Sequence, residues 1–304
     1  MKQTFYSNGK LLLTAEYLVL DGAIALALPT KFGQNLVVEK GNNKQIVWKS
    51  YDADLIVWFE EVILFDEITT NQHKDYNLVK STLIEILHVA YQLNPSFVSK
   101  SNGYFVTTNL TFPRKWGLGT SSTVINNIAQ WLQIDAFELL HKSFGGSGYD
   151  IACAQNNTAI LYQLVNKKPV VQTVDFNPKF KENIYFVYLN QKQNSKSAIE
   201  NYRKNKANHS DAISKISDVT NAILHTNEIE SFILLLEQHE EILSSILETK
   251  TIKEQLFPDF DGAIKSLGAW GGDFVMVVSQ KNPSDYFKSK GFETILKFEE
   301  MILQ

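Results

Sequence analysis

Pro113-Arg-Lys-Trp-Gly-Leu-Gly-Thr-Ser-Ser122, continued by Thr123-Val-Ile-Asn-Asn-Ile-Ala-Gln-Trp131, is the stretch that decides how this chain is read. An alternating apolar segment, Tyr104 to Leu110, runs into it, and Val124, Ile128, Trp131 and Leu132 leave it at helical spacing. The order is strand, loop, helix start. Gly117 and Gly119 can take positive φ and turn backbone N–H groups outward, while Thr120 and Ser121 place hydroxyls beside the unpaired amides of a first helical turn. Such a turn is a ready anion site. Two familiar phosphate motifs are excluded: no lysine follows Gly119 as a P-loop requires, and position 122 is serine where a dinucleotide fingerprint needs a third glycine. Taken alone, a glycine turn before a helix is more often plain connection.

Upstream, apolar residues at 78, 83, 86, 87 and 90 predict a helix from Asp75 to Leu93, closed by Asn94-Pro95. Before it, Gln34–Glu39, Gln45–Trp48 and Ile56–Phe59 read as strands. At the N-terminus, residues 2–6 and 11–20 read as strands broken by a turn at Ser7-Asn8-Gly9-Lys10, and Asp21-Gly22 is a hairpin signal leading to a third strand, Ala23–Pro29. Downstream, Asp135 is a candidate N-cap for a helix over Ala136–His141, and Gly145-Gly-Ser-Gly-Tyr-Asp150 is a tight glycine turn. The character changes near Asn177-Pro178, which sets the expected domains at 1–180 and 181–304. The second half reads as a strand over Ile184–Leu189, a basic segment from Lys192 to Lys206, and helices over 210–225 and 228–248, the latter with a capping-box-like Asn227 and Glu230. A helix over Asp261–Leu267, a strand over Phe274–Val278, a short helix over Pro283–Lys288 and a last strand over Thr294–Phe298 complete it.

With 304 residues, 44% apolar and 20% charged, the chain has the composition of an ordinary globular protein. A net charge of −4 gives no reason to expect nucleic acid, and no run approaches the length of a bilayer span. One cysteine, Cys153, permits no internal disulfide; with no signal-peptide pattern at the start, the cytoplasm is the expected location. The histidines show no paired-ligand spacing, so no structural metal is expected.

Four segments in order point to one family. Asn8-Gly9-Lys10-Leu-Leu-Leu-Thr-Ala15-Glu16-Tyr17, Pro113 to Ser122, Gly146-Ser-Gly-Tyr-Asp150 and Gly268-Ala-Trp-Gly271-Gly272-Asp273 resemble the motifs of the GHMP kinases, and are most similar to the mevalonate kinase and phosphomevalonate kinase branch. The resemblance implies an α+β fold of two domains, the first like the second domain of ribosomal protein S5 and the second ferredoxin-like. It implies ATP and Mg²⁺ as cofactors and a small molecule as substrate, with no membrane partner and a monomer or homodimer. Gly117, Leu118, Gly119, Thr120, Ser121 and Ser122 would wrap the triphosphate, with Ser121 beside Mg²⁺ and Glu138 a second candidate metal ligand. Asp150 would be the catalytic base and Lys10 the cation that keeps it ionised. Glu16, Ser147, Gly271, Gly272, Lys196 and Arg203 would face the substrate. Diphosphomevalonate decarboxylase shares this fold, and a nucleotide-binding homologue without turnover is the other alternative.

The chain departs from the family pattern at Asn8, where proline is usual, at Ala15, where glycine precedes the glutamate, and at Trp270, where glycine is usual. Only 29 positions separate Ser121 from Asp150, fewer than in typical members. The motif residues also have bland readings: Lys10 as a solvated turn residue, Asp150 as a helix cap, Gly272 as part of a hairpin, and the lysines and Arg203 of 192–206 as a solvated helix face.

Overall fold

A computed structural model describes residues 2–72, 78–192, 195–204, 209–270 and 272–304, with backbone only at 195–197 and 201. The fold is α+β, and the chain divides into two compact units, Met1–Gly9 with Phe32–Arg114 and Leu118–Gln155, and Lys10–Lys31 with Lys115–Gly117 and Asn156–Gln304.

In the first unit, Gln45–Tyr51 pairs antiparallel with Val57–Leu64 and parallel with Gly103–Leu110, which pairs antiparallel with residues 34–40. Gln45–Tyr51 alternates strictly in burial and sends Ile46 and Trp48 inward, as a sheet covered on one face requires. The helices Leu78–Leu93, Thr120–Leu132 and Ala136–Ser143 supply that cover through Leu83, Leu87, Ile125, Ile128 and Leu139. Each such fully buried side chain contributes about 1.5–3 kcal/mol relative to exposure.

The second unit holds an antiparallel sheet in the order Ile295–Lys297, Ile184–Tyr188, Phe274–Val278, Ala263–Ser266. Both central strands are buried throughout, so both faces are covered. Val187, Ile264, Val275 and Val277 share one core with Phe257, Phe260 and Phe287. The alternate residues, including Lys265 and its cross-strand neighbour Met276, lie on the opposite face. The long helix Ile229–Leu247 packs against the strand Ala263–Ser266. Residues 25–27 pair with 160–162 of the hairpin Ile160–Val165 and Lys168–Thr173, whose turn residues Asn166 and Lys167 both have positive φ, as a type I′ turn requires.

Several expected elements differ. Ser7-Asn8-Gly9-Lys10 is no turn: the strand Gln3–Leu12 runs through it, because Ser7 is buried and satisfied by Asn126 and Asn127. The strand expected to continue to residue 20 ends at Leu12, and Asp21-Gly22 closes a short 3-10 turn, Leu18–Asp21, with Gly22 at φ 94°. Ala23–Pro29 and Gln34–Glu39 merge into one strand, Ala25–Lys40. The helix expected over Asp261–Leu267 is the strand Ala263–Ser266: Lys265 suggests a solvated face, yet it is fully buried beside acidic partners. Helix Ile229–Leu247 starts after Glu228 without a side-chain cap, so the Asn227–Glu230 box does not form. The helix expected from Asp75 is described from Leu78, residues 73–77 lying outside the described residues.

Candidate functional site

The loop of Pro113–Ser122 enters the helix Thr120–Leu132 through Gly119, at φ 99° and ψ 39°, a conformation few other residues adopt cheaply. Leu118 is fully buried and anchors the turn. The hydroxyls that follow divide into two pairs. Ser122 donates to Gly119 O at 2.9 Å, and Thr123 bonds both Gly119 O and Gln34 Oε1 at 3.0 and 2.7 Å. Among the described residues, the side chains of half-buried Thr120 and exposed Ser121 make no hydrogen bond, and they stand at a helix start whose first amides have no intrahelical partner. One hydroxyl pair closes the turn and the other makes no hydrogen bond among the described residues.

Asp150 lies in the first turn of the helix Tyr149–Gln155, which emerges from Gly145, Gly146 and Gly148, all at positive φ. It is half-buried, and Oδ1 accepts from Ile151 N at 3.1 Å; Ser147 before it is buried. This helix is tied to the loop-bearing helix: Gln155 donates to Asn126 Oδ1 at 3.0 Å, and Asn126 donates to Ser7 Oγ at 2.8 Å. The expected phosphate loop and the expected base are thus held in one unit by a polar network that begins at the buried Ser7.

Glu138, in the first turn of Ala136–Ser143, accepts from Lys142 Nζ at 2.7 Å on an exposed face, and Asp135 caps that helix by accepting from Glu138 N at 2.9 Å. Among the described residues no three side chains gather as a protein-only metal cage. Mg²⁺ ordinarily needs only one or two protein oxygens beside phosphate and water. Ser121 and Glu138 are donors of that kind, and an exposed Glu–Lys pair, worth about 0–1 kcal/mol, can exchange its partner.

In the second unit, Lys10 donates to Gly117 O at 3.1 Å. Gly117 sits at φ 71° against the Asp273 carboxylate; a Cβ there would lie 2.3 Å from Asp273 Oδ2, so only glycine fits. Asp273 itself is buried and left-handed at φ 53°, and its neighbour Gly272 is buried. Trp116 packs edge-on against Phe274, and Tyr188 donates to Lys115 O at 3.1 Å. Burial, followed by the nearby Asp273 charge, raises the Tyr188 hydroxyl above its usual range.

The first glycine segment ends in a strained turn. Ala15 and Tyr17 both have φ 64°, and Leu18 N donates to Glu16 O at 2.8 Å, making a γ-turn of positive φ centred on Tyr17. Strain of this kind costs on the order of 1–3 kcal/mol per residue and persists only where the surroundings enforce it. The enforcement comes from afar. Glu16, 1% exposed, pairs with the fully buried Lys265, which also meets Glu240 Oε1 at 3.1 Å. Ala15 N donates to His239 Nε2 at 2.9 Å, so His239 is neutral with its proton on Nδ1, and its 3.4 Å approach to Glu16 is no ion pair. Burial first, then Lys265, holds His239 well below the usual histidine range. Burial pushes Glu16 up to about 7 despite Lys265, and raises Glu240 as well. Trp270 N donates to the Tyr17 hydroxyl at 3.3 Å, a second link between the first and third glycine segments.

Glu16, expected against substrate, is therefore enclosed by protein. Arg203 is exposed in the helix Ser195–Lys204, while the Lys196 side chain and Gly271 lie outside what is described. Sequence reasoning missed Lys265, His239 and Glu240, which no motif marks, and passed over Asp273, which stood in a quoted motif.

No protein-family model matches the chain, and no curated protein matches it. Solved structures do. Methanococcus jannaschii mevalonate kinase matches with a TM-score of 0.73 and 16% identity over 100% of this chain and 99% of that one. Streptococcus pneumoniae phosphomevalonate kinase, in complex with phosphomevalonate and AMPPNP, matches at 0.72 and 17% over 97% and 99%. Lactococcus lactis galactokinase complexed with galactose matches at 0.65 and 12% over 100% and 95%. At these identities the likeness establishes the fold, that of the GHMP kinases along the whole chain.

Proposed function

We propose that this chain is an ATP-dependent small-molecule kinase of the mevalonate branch, with phosphomevalonate as its first candidate acceptor and mevalonate as its second. The observation that carries the reading is the helix start at Gly119, whose Thr120 and Ser121 hydroxyls make no hydrogen bond within the described residues and whose helix is bound to the Asp150 helix. Phosphoryl transfer asks a protein mainly for positioning and charge neutralisation. Gly119 to Ser122 would receive phosphate oxygens on backbone amides and the two unengaged hydroxyls. With a hydroxyl acceptor such as mevalonate, Asp150 would take the hydroxyl proton as the oxygen attacks the γ-phosphate, and the loop would keep its shape through the Lys10 bond to Gly117. Mg²⁺, held by Ser121 and Glu138, would neutralise phosphate charge. The basic residues of 192–206 favour an acceptor that already carries phosphate.

Incubating the protein with Mg²⁺-ATP and each candidate acceptor tests this. ADP release that depends on one acceptor supports the kinase, CO₂ release from diphosphomevalonate points to a decarboxylase, and ATP binding with neither points to a protein without turnover. If Lys192, Lys196, Arg203 and Lys204 can all become alanine without raising the phosphomevalonate KM, the preference for a phosphorylated acceptor is wrong.

A further inference from the structure

Gly117 is held from two sides by segments far apart in sequence, Lys10 bonding its carbonyl and the Asp273 carboxylate filling the space where a side chain would stand. Lys10 belongs to the segment that ends in the Tyr17 γ-turn, and Asp273 to the segment that follows Lys265 and Trp270. Those two segments are joined by two links, the Glu16–Lys265 pair and the Trp270–Tyr17 hydrogen bond.

We propose that Lys265 is a positioning residue for nucleotide binding: by holding Glu16 it keeps the turn at Tyr17 closed, and the closed turn keeps the Lys10 and Asp273 contacts on Gly117 in register. The proposal rests on the reading of Gly117 to Ser122 as the nucleotide loop.

Position and chemistry make Lys265 the keystone. It lies on the strand Ala263–Ser266, fully buried, on the face against the helix Ile229–Leu247. Two carboxylates reach it, Glu16 from the turn and Glu240 from that helix, while Ser266 Oγ donates to Glu240 Oε2 at 3.1 Å. His239, one position before Glu240, takes the Ala15 amide. The ammonium is therefore the one positive charge in the cluster, since His239 is neutral. Without it the Glu16 carboxyl, charged or protonated, loses its hydrogen-bond donor in a dry pocket, and it regains partners by moving out to water, which opens the turn. A buried ion pair used only for stability would need neither the two left-handed residues flanking Glu16 nor a second link to the loop-bracing segment.

The test is Lys265→Met, read by titration with a fluorescent ATP analogue and by residue-resolved amide exchange. Nucleotide affinity is expected to fall at least ten-fold, with amide exchange at Ala15 and Trp270 accelerated at least ten-fold and at Val275 and Val277 unchanged. Equal acceleration at all four amides, or unchanged affinity in a folded variant, overturns the proposal. Should Lys265→Met fail to fold, Glu16→Leu removes the group that Lys265 holds and is expected to show the same pattern. Tyr17→Phe, which cuts only the second link, is expected to speed exchange at Trp270 and weaken the nucleotide less. Because the readouts need no turnover, absence of phosphorylated acceptor would sink the kinase reading and leave this proposal standing, whereas a wild-type protein that binds no nucleotide overturns both.

Discussion

At Gly119 the backbone is satisfied within four residues, by Ser122 and Thr123 of the same helical turn. At Tyr17 the equivalent service comes from His239 and Lys265, 224 and 249 residues from their partners Ala15 and Glu16. The first region puts glycine where φ is positive and lets short hydroxyls close the turn. The second puts alanine and tyrosine there and answers the strain with buried charge. A locally closed region leaves side chains available to a ligand, whereas one closed by distant charges stakes much of the fold on a few of them. Chemistry and stability should therefore separate between the two.

Asp150→Asn, in the locally built region, offers the sharpest break. Turnover should fall by about 10²–10⁴, the range for loss of a general base, while the urea midpoint stays near wild type. Full activity in this variant would remove Asp150 from the chemistry. Lys265→Met should do the reverse to stability, costing on the order of 3–5 kcal/mol in urea unfolding because Glu16 and Glu240 both lose their buried partner. A loss below about 1 kcal/mol would place the cluster among pairs of no consequence.

The pH dependence sharpens the contrast. Glu16 titrates near 7 when folded and near 4.5 when unfolded, so its contribution is complete below 4.5 and is lost as pH rises through about 7. His239 is held low, so its contribution is present above the ordinary histidine value of 6.5 and is lost as pH falls below it. Between the ordinary values of the two groups, 4.5 and 6.5, each state holds one proton on this pair, on Glu16 when folded and on His239 when unfolded, and the contributions offset. His239→Gln keeps an acceptor for the Ala15 amide but removes the histidine proton, so stability should decline with rising pH across that window by up to about 1.4 kcal/mol per pH unit relative to wild type. Parallel urea profiles for the two proteins would show that His239 does not titrate differently on folding.

The smallest effects lie in the two hydroxyl pairs. Ser122→Ala should cost about 1 kcal/mol through its lost bond to Gly119 O. Ser121→Ala should stay within about 0.5 kcal/mol of wild type yet weaken nucleotide binding. Equal stability losses in both would erase the division between closing and ligand-facing hydroxyls.

The same contrast explains what the sequence disclosed. Gly119 with its hydroxyls, Asp135 as a cap and the helix Thr120–Leu132 are short-range arrangements, and their spacing announced them. Lys265 could not be read that way: in Ala263-Ile-Lys-Ser-Leu267 a lysine implies a solvated helix face, and only Glu16 and Glu240, brought in by folding, make it a core residue of a strand. Ser7-Asn8-Gly9-Lys10 misled likewise, since turn-forming composition stays extended once Asn126 and Asn127 bond Ser7. Ala15 shows the intermediate case, where departure from a glycine pattern was visible but the φ of 64° that makes it costly was not.

Cys153 is the sole thiol of the chain, fully buried in the helix that carries Asp150. Alkylating reagents reach it only when that helix loosens, so the rate of thiol trapping in the untouched protein serves as a clock for how often the Asp150 segment opens. Bound nucleotide, if it steadies the neighbouring helix start, should slow that clock.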